Sequence, residues 1–292
     1  MTLIWFVFAA AIVYLILTLY LSILVQQIPR RPVSDPPDWG TVEDTFIPAI
    51  DGGRLEVWRI EPEGTRRGVV LLAHGWGRNR DRMVNRARMF GAMGYTTVMH
   101  SARDHGNSSP KWVMNALRFA EDIGSVIDWI GEPVILYGHS AGSGGAIVAA
   151  VDRPESIQLL FLEASYAYTR PALLNLYRWF NRAIGTLLGP TILFWINLYY
   201  RGAPDRLSPA RLAPFVKAPV MLIHGEKDRR FPVDFARTLQ RRFAPGQATL
   251  FIASGAGHSD SSSRPGYRQA LQRFLERNVI PGANKVEGKR LK

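Results

Sequence analysis

The run Pro133-Val134-Ile135-Leu136-Tyr137-Gly138-His139-Ser140-Ala141-Gly142 is the tightest constraint in this 292-residue chain. Its apolar, partly β-branched opening predicts a buried strand. A Gly-x-Ser-x-Gly turn follows, and the small residues from Ala141 to Ala150 predict the start of a helix. A serine held on so sharp a strand-to-helix turn has a strained backbone, and only residues without a bulky Cβ fit two positions to either side. The pattern alone is weak. At ordinary Gly and Ser usage a chain of this length contains it by chance roughly one time in ten. Its setting between strand and helix gives it weight.

A serine hydroxyl becomes a nucleophile only when a base takes its proton and an acid fixes that base. On a turn of this kind the acid and then the histidine follow the serine in the chain. Of six histidines, His258 alone lies late enough, in the Gly-rich loop Ser254-Gly255-Ala256-Gly257-His258-Ser259 after the apolar strand Ala248 to Ile252. The acid is best placed at Asp228, just past the strand Pro219 to His224, at the sheet edge where open α/β sheets carry their sites. Glu226 is a nearby rival. Glu163, at the end of the strand Ile157 to Leu162, is the more serious one.

An oxyanion needs donors already in place. The N–H of Ala141, directly after the serine, is one candidate. The N–H of Trp76 is the other, in the His74-Gly75-Trp76-Gly77 loop that follows the strand Gly68 to Ala73.

With these pieces together, residues from about 42 to 280 resemble an α/β-hydrolase-superfamily serine hydrolase of the esterase/lipase type. The resemblance rests on His74-Gly75-Trp76-Gly77, Arg103-Asp104-His105-Gly106-Asn107-Ser108, Gly138-His139-Ser140-Ala141-Gly142, Gly225-Glu226-Lys227-Asp228 and Gly257-His258. It covers over three quarters of the chain. The second motif carries Asp104 where the superfamily usually has glycine. The resemblance implies a mainly parallel sheet flanked by helices, a helical cap inserted late in the chain, and hydrolysis through Ser140, His258 and Asp228. It says little of substrate, since one fold hosts many chemistries.

Other residues have plainer readings. His74 is read as a structural hydrogen bond holding the oxyanion loop, and His139 as structural or substrate-lining. Asp260 is read as a cap for the following helix. No His, Cys, Asp or Glu cluster has metal-ligand spacing, and no Gly-rich loop follows the phosphate-binding pattern, so no cofactor and no metal are expected. Cysteine is absent, which rules out a disulfide framework.

Residues 1–29 contain no Asp, Glu, Lys or Arg. Leu3 to Val25 would reach about 35 Å as a helix, against a hydrocarbon core of about 30 Å. A cleaved signal peptide would want a positive start and a shorter apolar stretch. An uncleaved, single-pass transmembrane anchor at 1–28 is the better reading. Arg30 and Arg31 directly after it place the C-terminal side in the cytoplasm by the positive-inside rule. The formal net charge of +12 suits a body held near anionic lipid. Nucleic acid is not expected. The patch Arg78, Arg80, Arg82, Arg86 and Arg88 reads as an ordinary amphipathic helix with a solvated basic face, and no nucleic-acid module accompanies it.

A Pro-rich linker occupies 29–41, and a hydrolase domain 42–280 follows. It opens with a hairpin-like pair around Asp51-Gly52-Gly53 and continues as alternating strands and helices, hence a mainly parallel sheet. The pattern breaks over 164–216, which is aromatic and apolar with few charges: two or three helices of a cap, whose apolar face packs on the domain or also dips into the bilayer. A second span at Ile184 to Tyr200 is disfavoured by Gly185, Gly189 and Pro190. A basic tail occupies 281–292. Together these predict a membrane-anchored hydrolase of a lipophilic acyl ester or thioester. A peptidase of the same fold and a non-catalytic lipid-binding relative are the alternatives.

Overall fold

The computed structural model describes residues 2–278, so the basic tail lies outside the described residues. The chain opens with the long helix α1 (Thr2–Leu24). After an irregular stretch come β1 (Thr41–Pro48), β2 (Arg54–Glu61), β3 (Val69–Ala73), α2 (Val84–Gly91), β4 (Thr96–His100), α3 (Ala116–Ile130), β5 (Val134–His139), α4 (Ala141–Asp152) and β6 (Ile157–Glu163). Five helices then interrupt the alternation: α5 (Thr169–Phe180), α6 (Arg182–Leu187), α7 (Gly189–Tyr199), α8 (Ala203–Arg206) and α9 (Pro209–Leu212). The alternation resumes with β7 (Val220–Gly225), α10 (Val233–Gln240), β8 (Ala248–Ala253) and α11 (Tyr267–Asn278).

The eight strands form one sheet in the order β1-β2-β4-β3-β5-β6-β7-β8. The pairs β1–β2 and β2–β4 are antiparallel and every other pair is parallel, so β2 alone runs against the rest. Both sheet faces are covered, which is why the central strands are apolar without alternation. Side chains still alternate between the faces with period two. On β3, Val69, Leu71 and Ala73 join one core with α3 and α4, whereas Val70 and Leu72 join the other with α2 and α11. Parallel pairing with right-handed crossovers brings the carboxyl ends of β3, β5, β6 and β7 to one edge.

The segment α5 to α9 is the expected interruption, with two short helices, α8 and α9, beyond the two or three anticipated. Ile184 to Tyr200 is not one span: the chain breaks between α6 and α7 at Leu188, directly before Gly189 and Pro190.

The amphipathic reading of the arginine patch needs correction. Arg80 and Arg86 are buried, not solvated. Arg80 pairs with Asp44 at 2.7 Å, and Arg86 pairs with Glu163 at the end of β6. The Pro-rich stretch is strapped onto the domain. Asn79 Nδ2 donates to the carbonyls of Arg31 (3.1 Å) and Pro32 (3.0 Å), and Arg30 donates to the carbonyls of Gly106 (3.0 Å) and Ser108 (2.7 Å).

Candidate active site

Ser140 stands between β5 and α4 with φ +55° and ψ −117°, a backbone conformation that L residues seldom adopt. The flanking glycines are required by space. A Cβ on Gly138 would stand 2.6 Å from the carbonyl oxygen of Gly142, and one on Gly142 would stand 2.4 Å from that of His74. The turn is therefore pressed between its own helix and the end of β3. The Ser140 N–H donates to the Glu163 carbonyl at 2.9 Å, which ties the turn to the neighbouring strand.

The three residues named from sequence meet in space. Ser140 Oγ lies 2.9 Å from His258 Nε2, and His258 Nδ1 lies 2.7 Å from Asp228 Oδ2. An ionised carboxylate only accepts, so Nδ1 carries a proton and, in the neutral ring, Nε2 is left to accept from the Ser140 hydroxyl. Asp228 is buried and its second oxygen accepts the N–H groups of Arg230 (2.9 Å) and Phe231 (3.0 Å). Burial would push this carboxyl up. The hydrogen bond and charge of His258, with the Phe231 N–H, outweigh that and hold it below its ordinary range. Glu226 lies elsewhere, exposed, accepting from Ser254 and the Gly255 N–H.

The loop of Trp76 reaches the same point. A Cβ on Gly75 would stand 3.0 Å from Ser140 Cβ. Among the turn and loop hydrogen bonds of the described residues, neither the Trp76 nor the Ala141 N–H donates to a carbonyl. His74 is buried and holds the loop, as its plainer reading had it: Nε2 accepts the Ala102 N–H at 3.0 Å, and Nδ1 donates to the Gly75 carbonyl at 2.8 Å. Burial drives His74 well below the ordinary histidine range. His139 is also structural. Its Nε2–H donates to the His258 carbonyl at 3.1 Å, and burial brings its ring down to about 3. Asp260 stands at the start of the 3-10 turn Ser261–Ser263, but its side chain does not cap it. Its Oδ1 accepts the Gly257 N–H at 2.7 Å and its carboxylate pairs with Arg264, so it closes the turn that carries His258.

Asp104, standing where a glycine would be usual, adopts the glycine-type backbone, with φ +63°. Aspartate tolerates this region better than most residues because its short side chain bonds locally. Here Oδ1 accepts the Lys111 N–H at 2.6 Å.

Sequence reasoning missed the support beneath the site. Glu163, considered as the acid, is buried against Arg86, which donates to both carboxylate oxygens, one at 2.7 Å. Tyr137 Oη donates to Glu163 at 2.7 Å and contacts Tyr267 Oη at 2.8 Å. Arg86 also donates to the Ser259 carbonyl at 3.1 Å, next to His258. Burial would raise the Glu163 carboxyl, but the charges of Arg86 and His139 and the hydrogen bonds of Arg86 and Tyr137 hold it at about 2. A tyrosine inside the aliphatic run of β5 was the available signal. Among the described residues no group of three or more His, Cys, Asp or Glu is placed to hold a metal ion.

A family model described as serine aminopeptidase, S33, matches residues 64–197, and one described as TAP-like protein matches residues 201–287. The chain belongs to the α/β-hydrolase superfamily. Within it, the chain is similar to a monoacylglycerol lipase of Mycolicibacterium smegmatis, 24% identical over 72% of this chain and 87% of the relative. It is also similar to a human monoglyceride lipase, 29% identical over 36% of this chain and 37% of that one. Among solved structures, a Pyrococcus furiosus esterase shares the fold with a TM-score of 0.65 at 18% identity, covering 86% of this chain and all 100% of that one. A bacterial membrane phospholipase A does so with a TM-score of 0.59 at 18% identity, covering 80% and 86%.

Proposed function

We propose that this chain is a membrane-anchored serine hydrolase that cleaves carboxylic ester or thioester bonds of lipophilic acyl substrates. The observation that carries the reading is the unbroken relay from Ser140 Oγ through His258 to Asp228, at 2.9 and 2.7 Å. In this reading His258 accepts the Ser140 proton as Oγ attacks the acyl carbonyl, then returns it to the leaving alkoxide or thiolate. Water, deprotonated by the same histidine, releases the acid. Asp228 keeps the proton of His258 on Nδ1 and balances the imidazolium charge. The N–H groups of Trp76 and Ala141 receive the oxyanion. The ester-cleaving names of the similar proteins support the bond type.

The division of the chain follows from the same reading: α1 within 1–28 as anchor, 29–41 as a strap on the domain, 42–280 as the hydrolase domain with its cap at 164–216, and the basic tail beyond. α1 is long and apolar enough to cross a membrane. A removable signal segment has no need of bonds to the mature fold. Yet Tyr14 Oη lies 2.8 Å from Thr191 Oγ1, and Tyr199 Oη donates to the Ser22 carbonyl at 2.9 Å. These contacts favour an anchor that stays. Arg30 and Arg31 favour a cytoplasmic hydrolase domain.

A peptidase has one observation on its side, the serine aminopeptidase description of the model matching residues 64–197. Labelling the full-length, detergent-solubilised protein with a fluorophosphonate probe tests the shared chemistry. Wild type is expected to label, and Ser140→Ala and His258→Ala are not. Unlabelled wild type, with and without phospholipid vesicles, would sink the reading. Acyl esters of graded chain length set against aminoacyl amides then separate esterase from peptidase.

A further inference from the structure

The eighteen residues from Ala183 to Tyr200 carry no charge, and arginines flank them as Arg182 and Arg201. Folded as α6 and α7, they are too short and too broken to cross a bilayer. Apolar segments of this kind are buried in a core or lie in membranes as re-entrant elements. Part of this one is buried: Ile192, Leu193 and Ile196 of α7 pack against Leu21 of α1, Val25 just past its end, and Leu173, Leu174 and Tyr177 of α5. The other part faces outward. Ile184, Leu187, Phe194 and Leu198 are all more than half exposed, and Phe180 at the end of α5 extends the surface.

The seam between α1 and α7 decides what covers this surface. Tyr14, Thr18 and Ser22 of α1, with Gln26 just past its end, recur every four positions and so form one stripe. Each meets the cap. Tyr14 Oη lies 2.8 Å from Thr191 Oγ1 and donates to the Leu187 carbonyl at 2.9 Å. Trp195 Nε1 donates to Thr18 Oγ1 at 3.1 Å, Tyr199 Oη to the Ser22 carbonyl at 2.9 Å, and Tyr200 Oη to Gln26 Oε1 at 2.9 Å. The ascending pairs show that α7 runs parallel to α1. In water such a seam gains little. In lipid it is the means by which apolar helices associate, and the rest of α1 is exposed and apolar.

We propose that the cap segment Ala183–Tyr200 is a re-entrant element embedded in the acyl-chain layer, held alongside α1 by this seam. The inference rests on reading α1 as membrane-spanning. If Gln26 and Arg30 mark the near interface, Tyr14 lies about 18 Å deeper, past the middle of a hydrocarbon core about 30 Å thick. The corner between α6 and α7 reaches the same depth, because Tyr14 bonds both sides of it. Backbone at that depth must find its partners within the protein. The Leu187 carbonyl at the corner meets Tyr14 Oη, while the N–H groups of Leu188 and Ile192 find Ile184 and Leu188 carbonyls at 2.8 and 2.9 Å. The occupant of the exposed apolar face is then lipid, continuous with the lipid around α1.

Native cysteine is absent, so single-cysteine variants of the full chain can be spin-labelled cleanly. Leu187→Cys, Phe194→Cys and Leu198→Cys report the cap, Val7→Cys reports α1, and Lys217→Cys reports the domain surface. All five positions are exposed, and retained fluorophosphonate labelling checks that each variant folds. In nanodiscs of phosphatidylcholine and phosphatidylglycerol, the labels at 187, 194 and 198 are expected to lose broadening by a water-soluble nickel chelate, as at 7, with 187 deeper than 198. The label at 217 keeps it. Full broadening at 187, 194 and 198 with loss only at 7 would overturn the embedded cap and leave the anchor standing. Full broadening at 7 as well would overturn both.

Discussion

Arg86 donates to both carboxylate oxygens of Glu163, and neither side chain reaches solvent. The pair joins two parts of the site. Glu163 holds the Ser140 N–H through its carbonyl, and Arg86 holds the Ser259 carbonyl beside His258. Removing one partner of such a pair leaves a buried charge uncompensated, at a cost of about 3–5 kcal/mol. Glu163→Gln is therefore expected to lower stability by that order in denaturant unfolding, while fluorophosphonate labelling of the folded fraction persists. Complete loss of labelling in folded Glu163→Gln would mean that Glu163 acts in the chemistry.

The same pair sets an acid limit on stability. The Glu163 carboxyl is held at about 2 in the fold, below its ordinary 4.5. A carboxyl depressed on folding contributes stability that is present above the unfolded value and lost as pH falls through the folded one. Between about pH 4.5 and 2 the protein should lose stability progressively. Glu163→Gln should flatten that part of the unfolding-against-pH curve. An unchanged slope in the variant would assign the acid limit to other groups.

Activity should fall on the acid side with a single proton. Burial pushes His74 well down and lowers His224, and it brings His100 and His105 to about 4 and His139 to about 3, so His100, His105 and His139 stay neutral through the working range. Asp228, held low, stays ionised there. A base accepts the Ser140 proton only while its own Nε2 carries none. The logarithm of kcat/KM against pH is expected to rise with a limiting slope of one. A slope of two would bring in a second histidine.

Asp228→Asn should separate orientation from architecture. An asparagine Oδ1 can still accept the Arg230 and Phe231 N–H groups. Its amide would then face His258 Nδ1 as a donor, which favours the wrong tautomer. A fall in kcat of about 10⁴-fold with little change in stability is the expected outcome. Steady-state kinetics beside a thermal melt checks it.

Strain at Ser140 sets two inactive variants apart in stability. At φ +55° an alanine keeps the clash of its Cβ with the backbone, and a glycine loses it. Ser140→Gly should exceed Ser140→Ala in stability by about 1 kcal/mol, after the extra chain entropy that glycine brings to the unfolded state. Equal stability would show that the turn holds no strain.

Much of the candidate site was legible because its chemistry sits at strand ends. Ser140, Asp228 and His258 each follow an apolar run by a few residues, and parallel pairing brings such ends to one edge. The fold followed from the same alternation. What escaped was pairing across long separations. Arg86 at helical spacing reads as a solvated charge until β6 places Glu163 beside it, 77 residues away. Asp260 reads as a cap until Gly257 and Arg264 claim it. Tyr14, Thr18 and Ser22 stand in an apolar run and went unread. Their common spacing of four was visible, but their partner helix lay some 175 residues on, beyond the reach of any local pattern.

The seam also decides how the protein can be handled. Cutting the chain after Gln27 would seem to release a convenient water-soluble enzyme. It would also uncover Ile192, Leu193 and Ile196 and strip Trp195, Tyr199 and Tyr200 of their partners. The shortened protein would carry a raw apolar strip on its cap and associate through it. An inactive or aggregated truncation would then report a broken roof rather than absent chemistry. Detergent or lipid is on this view a structural component of any preparation, to be chosen before the substrate is.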